Sequence, residues 1–219
     1  MKGLILNQYY AIGNSVRNYF VLSIFLAAVF LFTQNEWLLT FAAFVPIIFM
    51  VSPALEVLKH ESKSGWNKFV LTLPLKRSHV VKSHYLFFIM LMFIGLFIVI
   101  GVFVVAELLL ENILVEQAIY WMMNGVGVAF VLGFIAYPLT YLLGSEKSDM
   151  ILMVSVIAGV GLFFLSSWLY EQILINVSPY VLQGLNHDML FSAGFLVITL
   201  VLFIVSYVIA LQVYKRKEF

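Results

Sequence analysis

The sequence predicts an all-α integral membrane protein with six transmembrane helices, and three observations carry that prediction. Of its 219 residues, 63% are hydrophobic and 11% charged, with a mean hydropathy of +1.06. A water-soluble chain of this size could not hide so much apolar surface, whereas a bilayer accepts it when each helix satisfies its own backbone. Six stretches, at 19–33, 37–55, 85–110, 118–143, 150–170 and 189–214, approach or exceed the length needed to cross the membrane, which is about 20 apolar residues. With the spans alternating in direction, all twelve Lys and Arg residues fall on one face, the segregation that insertion imposes on the cytoplasmic side.

Taken in order, residues 1–17 form an N-terminal interfacial helix. Ile5, Tyr9, Ile12 and Val16 recur at helical spacing, while Lys2, Asn7, Gln8, Asn14 and Arg17 are placed to face water or headgroups. A cleavable signal is not expected, because the first apolar run begins late and no small-residue cleavage pattern follows it. Span one is short and extends into residues 15–18. Only Gln34, Asn35 and Glu36 separate it from span two, so the pair forms a tight hairpin. Pro46, Pro53 and Pro138 fall within spans, and Asn124, Gly125, Gly127 and Gly133 give span four a small or polar stripe of the kind that serves close helix packing. Both termini are then cytoplasmic. The opposite face keeps Glu36, Glu107, Glu111, Glu116, Glu171 and Asp188 and no positive charge.

Two segments outside the spans carry pattern of their own. In the cytoplasmic segment 58–84, residues 61–74 place Trp66, Phe69, Val70 and Leu73 on one face of about two helical turns. Pro74 ends that helix by pushing Leu73 out of the α region, and Lys76-Arg77 then precede Ser78 as the N-cap of span three. Such a face must bury itself, either on the membrane and the chain's own span ends or in a groove on a soluble partner. On the outer side, residues 166–190 place Trp168, Leu169, Ile173, Leu174 and Val177 in a helical stripe beside Glu171 and Gln172, with Pro179 enforcing a break.

The chemistry absent from the sequence narrows the function. Without cysteine there is no disulfide framework and no thiolate metal site. No glycine is followed by lysine, so there is no phosphate-binding loop. His60-Glu61 opens a zinc-protease pattern that fails at Ser64, and His60, His79, His84 and His187 read as interfacial or surface residues. Ser145 and His187 lie at opposite membrane edges, which argues against a buried serine protease. Glu56 and Glu107 stand at span ends, where they can snorkel to water, and no acid sits in mid-span to couple ions.

Met1-Lys2-Gly3-Leu4-Ile5-Leu6, the two-span hairpin, and the run from Glu61 through Trp66 and Phe69 to Thr72-Leu73-Pro74-Leu75-Lys76-Arg77 and Val80-Val81-Lys82-Ser83 resemble the permease subunits of type-2 ABC exporters. Among these, it resembles the small bacterial branch that includes the phenol-soluble modulin exporter permeases. Where that family carries a second acid beside the glutamate, this chain has His60. The resemblance implies that residues 1–17 are an interfacial elbow and that segment 58–84 couples to a separate ABC ATPase, present in two copies. Its coupling residues would be Glu61, Trp66, Phe69, Val70, Leu73, Pro74 and Arg77. ATP and magnesium would be bound by that partner, leaving this chain without a cofactor and without enzymatic activity of its own. A second permease subunit, identical or homologous, would complete the pathway, and segment 166–190 would gate it outside through Trp168, Leu169, Ile173 and Pro179. The implied setting is a bacterial plasma membrane with lipid and no nucleic acid as partner, and the implied role is outward movement of an amphipathic or hydrophobic substrate, peptides among the candidates. The 21 Phe and 11 Tyr suit such a cargo. The competing readings are a stand-alone six-span protein, either an ion-coupled transporter or a membrane enzyme, and a structural or immunity protein without transport activity.

Overall fold

The structure, a computed structural model, describes residues 2–33, 36–109, 115–176 and 186–216. Its helices are α1 (Lys2–Phe32), α2 (Glu36–Lys63), the short α3 (Trp66–Phe69), α4 (Arg77–Leu109), α5 (Val115–Leu143), α6 (Ser148–Asn176) and α7 (His187–Arg216). Six of these are long and apolar enough to cross a membrane, as the hydropathy pattern requires. Single 3₁₀ turns at Val70–Thr72 and Ser145–Lys147 complete the connections at one end. No strand occurs among the described residues.

The interfacial segment and the first span form one helix with a break inside it. Ile12 leaves helical geometry at φ −126° and ψ 16°, so the bend comes five residues before the end expected at position 17. The face that it buries also differs from the expected one. Leu4, Gln8 and Ile12 are buried, whereas Tyr9 and Tyr10 are exposed. Gln8, expected in water, donates from Nε2 to Ser83 Oγ of α4 at 2.9 Å. The cause is tertiary: this stretch packs against α2 and α4, and it is the position of those helices that decides which side is inside.

α2 and α5 are the inner helices, each with two-thirds of its most apolar stretch buried, while α1 and α6 lie at the periphery. α5 packs against α7, α2 and α6, and α2 against α1, α4 and α5. Without a hydrophobic drive between helices in lipid, close packing and interhelical hydrogen bonds hold such a bundle together. Gly95 of α4 supplies the closest approach, since a Cβ there would lie 2.9 Å from Ile47 Cα and 3.0 Å from Pro46 O of α2. The glycines of span four serve packing as expected, with Gly127 against the Phe195 ring and Gly133 against Phe203, both from α7. Around them Tyr85, Phe88, Phe130, Tyr137 and Phe203 form an aromatic core, with Tyr85 and Tyr137 stacked at 4.5 Å between ring centres. Tyr85 and Ser206 share a 2.7 Å hydrogen bond inside it.

Candidate functional site

At the end of the bundle that holds the lysines and arginines, the apolar stripe of α2 through Met50, Ala54 and Val57 continues into Glu61, and that of α4 through Leu91, Phe87 and Val80 includes His84. A helical period therefore aims both polar groups at the interior. Glu61 is 2% exposed and His84 2%. His84 Nε2 lies 3.0 Å from Glu61 Oε2 and Nδ1 lies 2.8 Å from the Tyr141 hydroxyl of α5. A neutral imidazole satisfies both contacts, with Nε2–H donating to the carboxylate and Nδ1 accepting the phenolic hydrogen. Tyr137 donates to the His84 carbonyl at 3.1 Å. The expectation that the histidines are all interfacial or surface residues is thus corrected for His84, because its helix face packs inward. Nor is Glu61 on the rim of a helix spanning 61–74, since it belongs to α2 and is consumed inside the bundle.

Past Glu61 the chain turns. Ser64 N bonds to the His60 carbonyl at 3.0 Å, and Gly65 adopts φ +74°, the left-handed conformation that ends a helix with least strain in glycine. α3 and the 3₁₀ turn follow, and Leu73 is extended at φ −78°, ψ 150° before Pro74, as the proline requires. The continuous helix expected over 61–74 is therefore two pieces separated by the turn at Gly65. Span three begins at Arg77 rather than after a cap at Ser78. Arg77 Nη1 donates to the Lys215 carbonyl at 2.9 Å and the Tyr214 carbonyl at 3.5 Å. A cation on the C-terminal carbonyls of α7 suits the negative end of that helix.

The segment between Glu61 and Arg77 is thus tied to the bundle at both ends, and its apolar residues divide. Val70 is buried, and Trp66 and Leu73 are half-buried against the core. Phe69 is 54% exposed, and Pro74 and Leu75 are exposed as well. Its ring lies 5.4 Å from that of Trp66. Nearby, Lys59 of α2 bonds to Asp149 Oδ1 of α6 at 2.6 Å on the exposed surface.

The opposite end of the bundle holds a cavity of about 660 Å³ among α2, α5, α6 and α7. Trp168 and Glu171 of α6 line it together with Phe44, Trp121, Asn124 and Asp188. Leu169 and Ile173 are exposed and outside this lining. Residues 166–176, the start of the helical stripe expected over 166–190, continue α6 without interruption. α6 has 29 residues, a length of about 43 Å against a hydrocarbon core of about 30 Å. Val177 and Pro179 lie outside the described residues. Among the described residues there is no group of three metal-ligating side chains.

Sequence reasoning singled out Glu61 and Arg77 for a partner, and missed His84, Tyr141 and Gln8 as internal contacts. The usable signal was register, since Glu61 and His84 continue the buried stripes of their helices. A model of the family described as ABC-2 family transporter protein matches residues 3–215. No curated protein and no solved structure matches the chain significantly.

Proposed function

The chain belongs to the ABC-2 family of transporter proteins, and from that membership we propose that it is the membrane-spanning permease subunit of an ATP-driven exporter in a bacterial plasma membrane. Its multi-pass helical bundle supplies the pathway, and a separate ABC ATPase, in two copies, supplies the energy and binds the ATP and magnesium. A second permease subunit, identical or homologous, faces it. The lysine- and arginine-bearing end is cytoplasmic, because translocation disfavours those residues.

The observation that carries this reading is the anchored segment between Glu61 and Arg77. It projects Phe69, Pro74 and Leu75 from the basic end, while Trp66, Val70 and Leu73 fasten it to the bundle. An outward-facing element tied at both ends in this way can pass a partner's movement into α2 and α4, since its two polar ties end on those helices and on α7. Burying one aromatic side chain in a partner groove contributes about 1.5–3 kcal/mol. The outer end of α6, with Trp168 on the cavity and Leu169 and Ile173 facing outward, gates the exit. The likeness to the phenol-soluble modulin exporter branch and the aromatic, weakly charged interior both favour an amphipathic cargo, amphipathic peptides among them.

Expressed with an ABC ATPase encoded beside it, the affinity-tagged chain should retain that ATPase through purification and should stimulate ATP hydrolysis in membranes. Purification of a functional transporter from the chain alone would instead support a stand-alone protein.

A further inference from the structure

The cavity at the acidic end is built from chemistry of one sign. Its walls are largely aromatic, with Phe44, Trp121, Phe163, Trp168 and Phe191 among them, and no Lys, Arg or His lines it among the described residues. The exposed carboxylates of Glu171 and Asp188 stand among the lining residues, on the last described turns of α6 and the first turn of α7. Along α5 the lining runs from Gln117 inward to Asn124, a descent of about 10 Å. Asn124 is 7% exposed, and its side-chain carbonyl oxygen has no hydrogen-bond partner among the described residues. Buried acceptors are ordinarily satisfied, and one left unpartnered in a residue that lines a cavity points to a donor that arrives with a ligand.

We infer that this cavity binds a cationic amphiphile. The apolar body rests on the aromatic walls, the ammonium or guanidinium group sits by Glu171 and Asp188, and an N–H of the ligand donates to Asn124. The faces of Trp121 and Trp168 favour a cation for the same electrostatic reason. An anion would meet two carboxylates and an unpartnered acceptor, with no charged donor among the described lining residues to receive it. The inference rests on the permease reading, for which it names the charge class of the cargo, but binding itself is read on this chain alone.

The test places the purified full chain in phosphatidylcholine nanodiscs and titrates it with dansylcadaverine, a naphthalene sulfonamide carrying a primary ammonium. Its N-acetylated, uncharged form is titrated in parallel. Energy transfer from Trp121 and Trp168 reports occupancy. The cationic form should bind about tenfold more tightly than the acetylated one, the scale expected from two partly solvated charge contacts. The double substitution Glu171→Gln, Asp188→Asn should remove most of that preference while leaving affinity for the acetylated form unchanged. Asn124→Leu should weaken both forms several-fold. These changes keep side-chain size, and a thermal melt matching the unsubstituted chain shows that the fold is intact. Equal binding of the two forms, absence of saturable transfer, or a preference that survives the double substitution overturns the assignment. If that happens while an ATPase still co-purifies, the permease reading stands; if co-purification fails while the cation preference holds, the cavity stands and the permease reading falls.

Discussion

His84 Nε2 and Glu61 Oε2 lie 3.0 Å apart, both side chains almost wholly buried, one helical turn before α2 gives way to the segment that leaves the bundle. Tyr141 holds the other imidazole nitrogen, so three spans meet at this point. Removing Glu61 leaves the buried His84 Nε2–H without its acceptor, which costs more than the bond was worth. Glu61→Ala should lower stability by about 1–3 kcal/mol, and Tyr141→Phe by about 1 kcal/mol, as read from thermal unfolding in detergent micelles. Because Glu61 and His84 act as a pair, Glu61→Leu combined with His84→Leu should be less damaging than the sum of the single changes. Strict additivity would show that the contact has no energetic meaning.

Phe69 and Val70 are neighbours in sequence and opposite in burial, 54% against 1% exposed. Phe69→Ala should leave the melting temperature unchanged and weaken ATPase co-purification roughly tenfold or more, as expected for one anchor worth about 1.5–3 kcal/mol. Val70→Ala should do the reverse, lowering stability with little effect on association per folded molecule. Undiminished transport and association with Phe69→Ala at matched expression would remove this residue from the interface.

A methyl group at Gly95 has nowhere to go, since the atoms it would meet are the Ile47 Cα at 2.9 Å and the Pro46 carbonyl at 3.0 Å. A Cβ at Gly101, six residues along the same helix, would have nothing within 4 Å. Gly95→Ala should therefore destabilise by about 1–3 kcal/mol through forced separation of α2 and α4. Gly101→Ala should be neutral or stabilise slightly by its better helix propensity, an effect of up to about 1 kcal/mol. Equal melting temperatures for the two variants would contradict the close approach at Gly95.

Orientation can be checked because the chain has no cysteine. Ser64 stands at the basic end and Asn186 at the acidic end, both exposed. In intact cells a membrane-impermeant thiol reagent should label Asn186→Cys, and should label Ser64→Cys only after permeabilisation. The opposite pattern would invert the topology.

Much of the architecture was legible in the residues themselves. The six spans, the tight first hairpin, the break at Pro74 and the packing role of Gly127 and Gly133 follow from run length, proline geometry and side-chain size, which act locally. The outer end of α6 was less legible, because Trp168, Leu169 and Ile173 carry a helical pattern whether they form a separate element or extend a span. Only the unbroken backbone to Asn176 separates those cases.

Gln8, Glu61 and His84 mark the boundary most sharply. Their polarity favoured water when each was considered alone, and the helical period alone could not say whether a stripe near a span end faces lipid, water or another helix. Composition and the one-sided lysines and arginines determined that this chain crosses a membrane six times, because transfer of apolar runs into hydrocarbon and retention of positive charge are properties of each segment by itself. Which polar groups are held inside, and that Phe69 rather than Val70 faces outward, was decided only by tertiary structure, because burial at a helix surface depends on which neighbouring helix covers it.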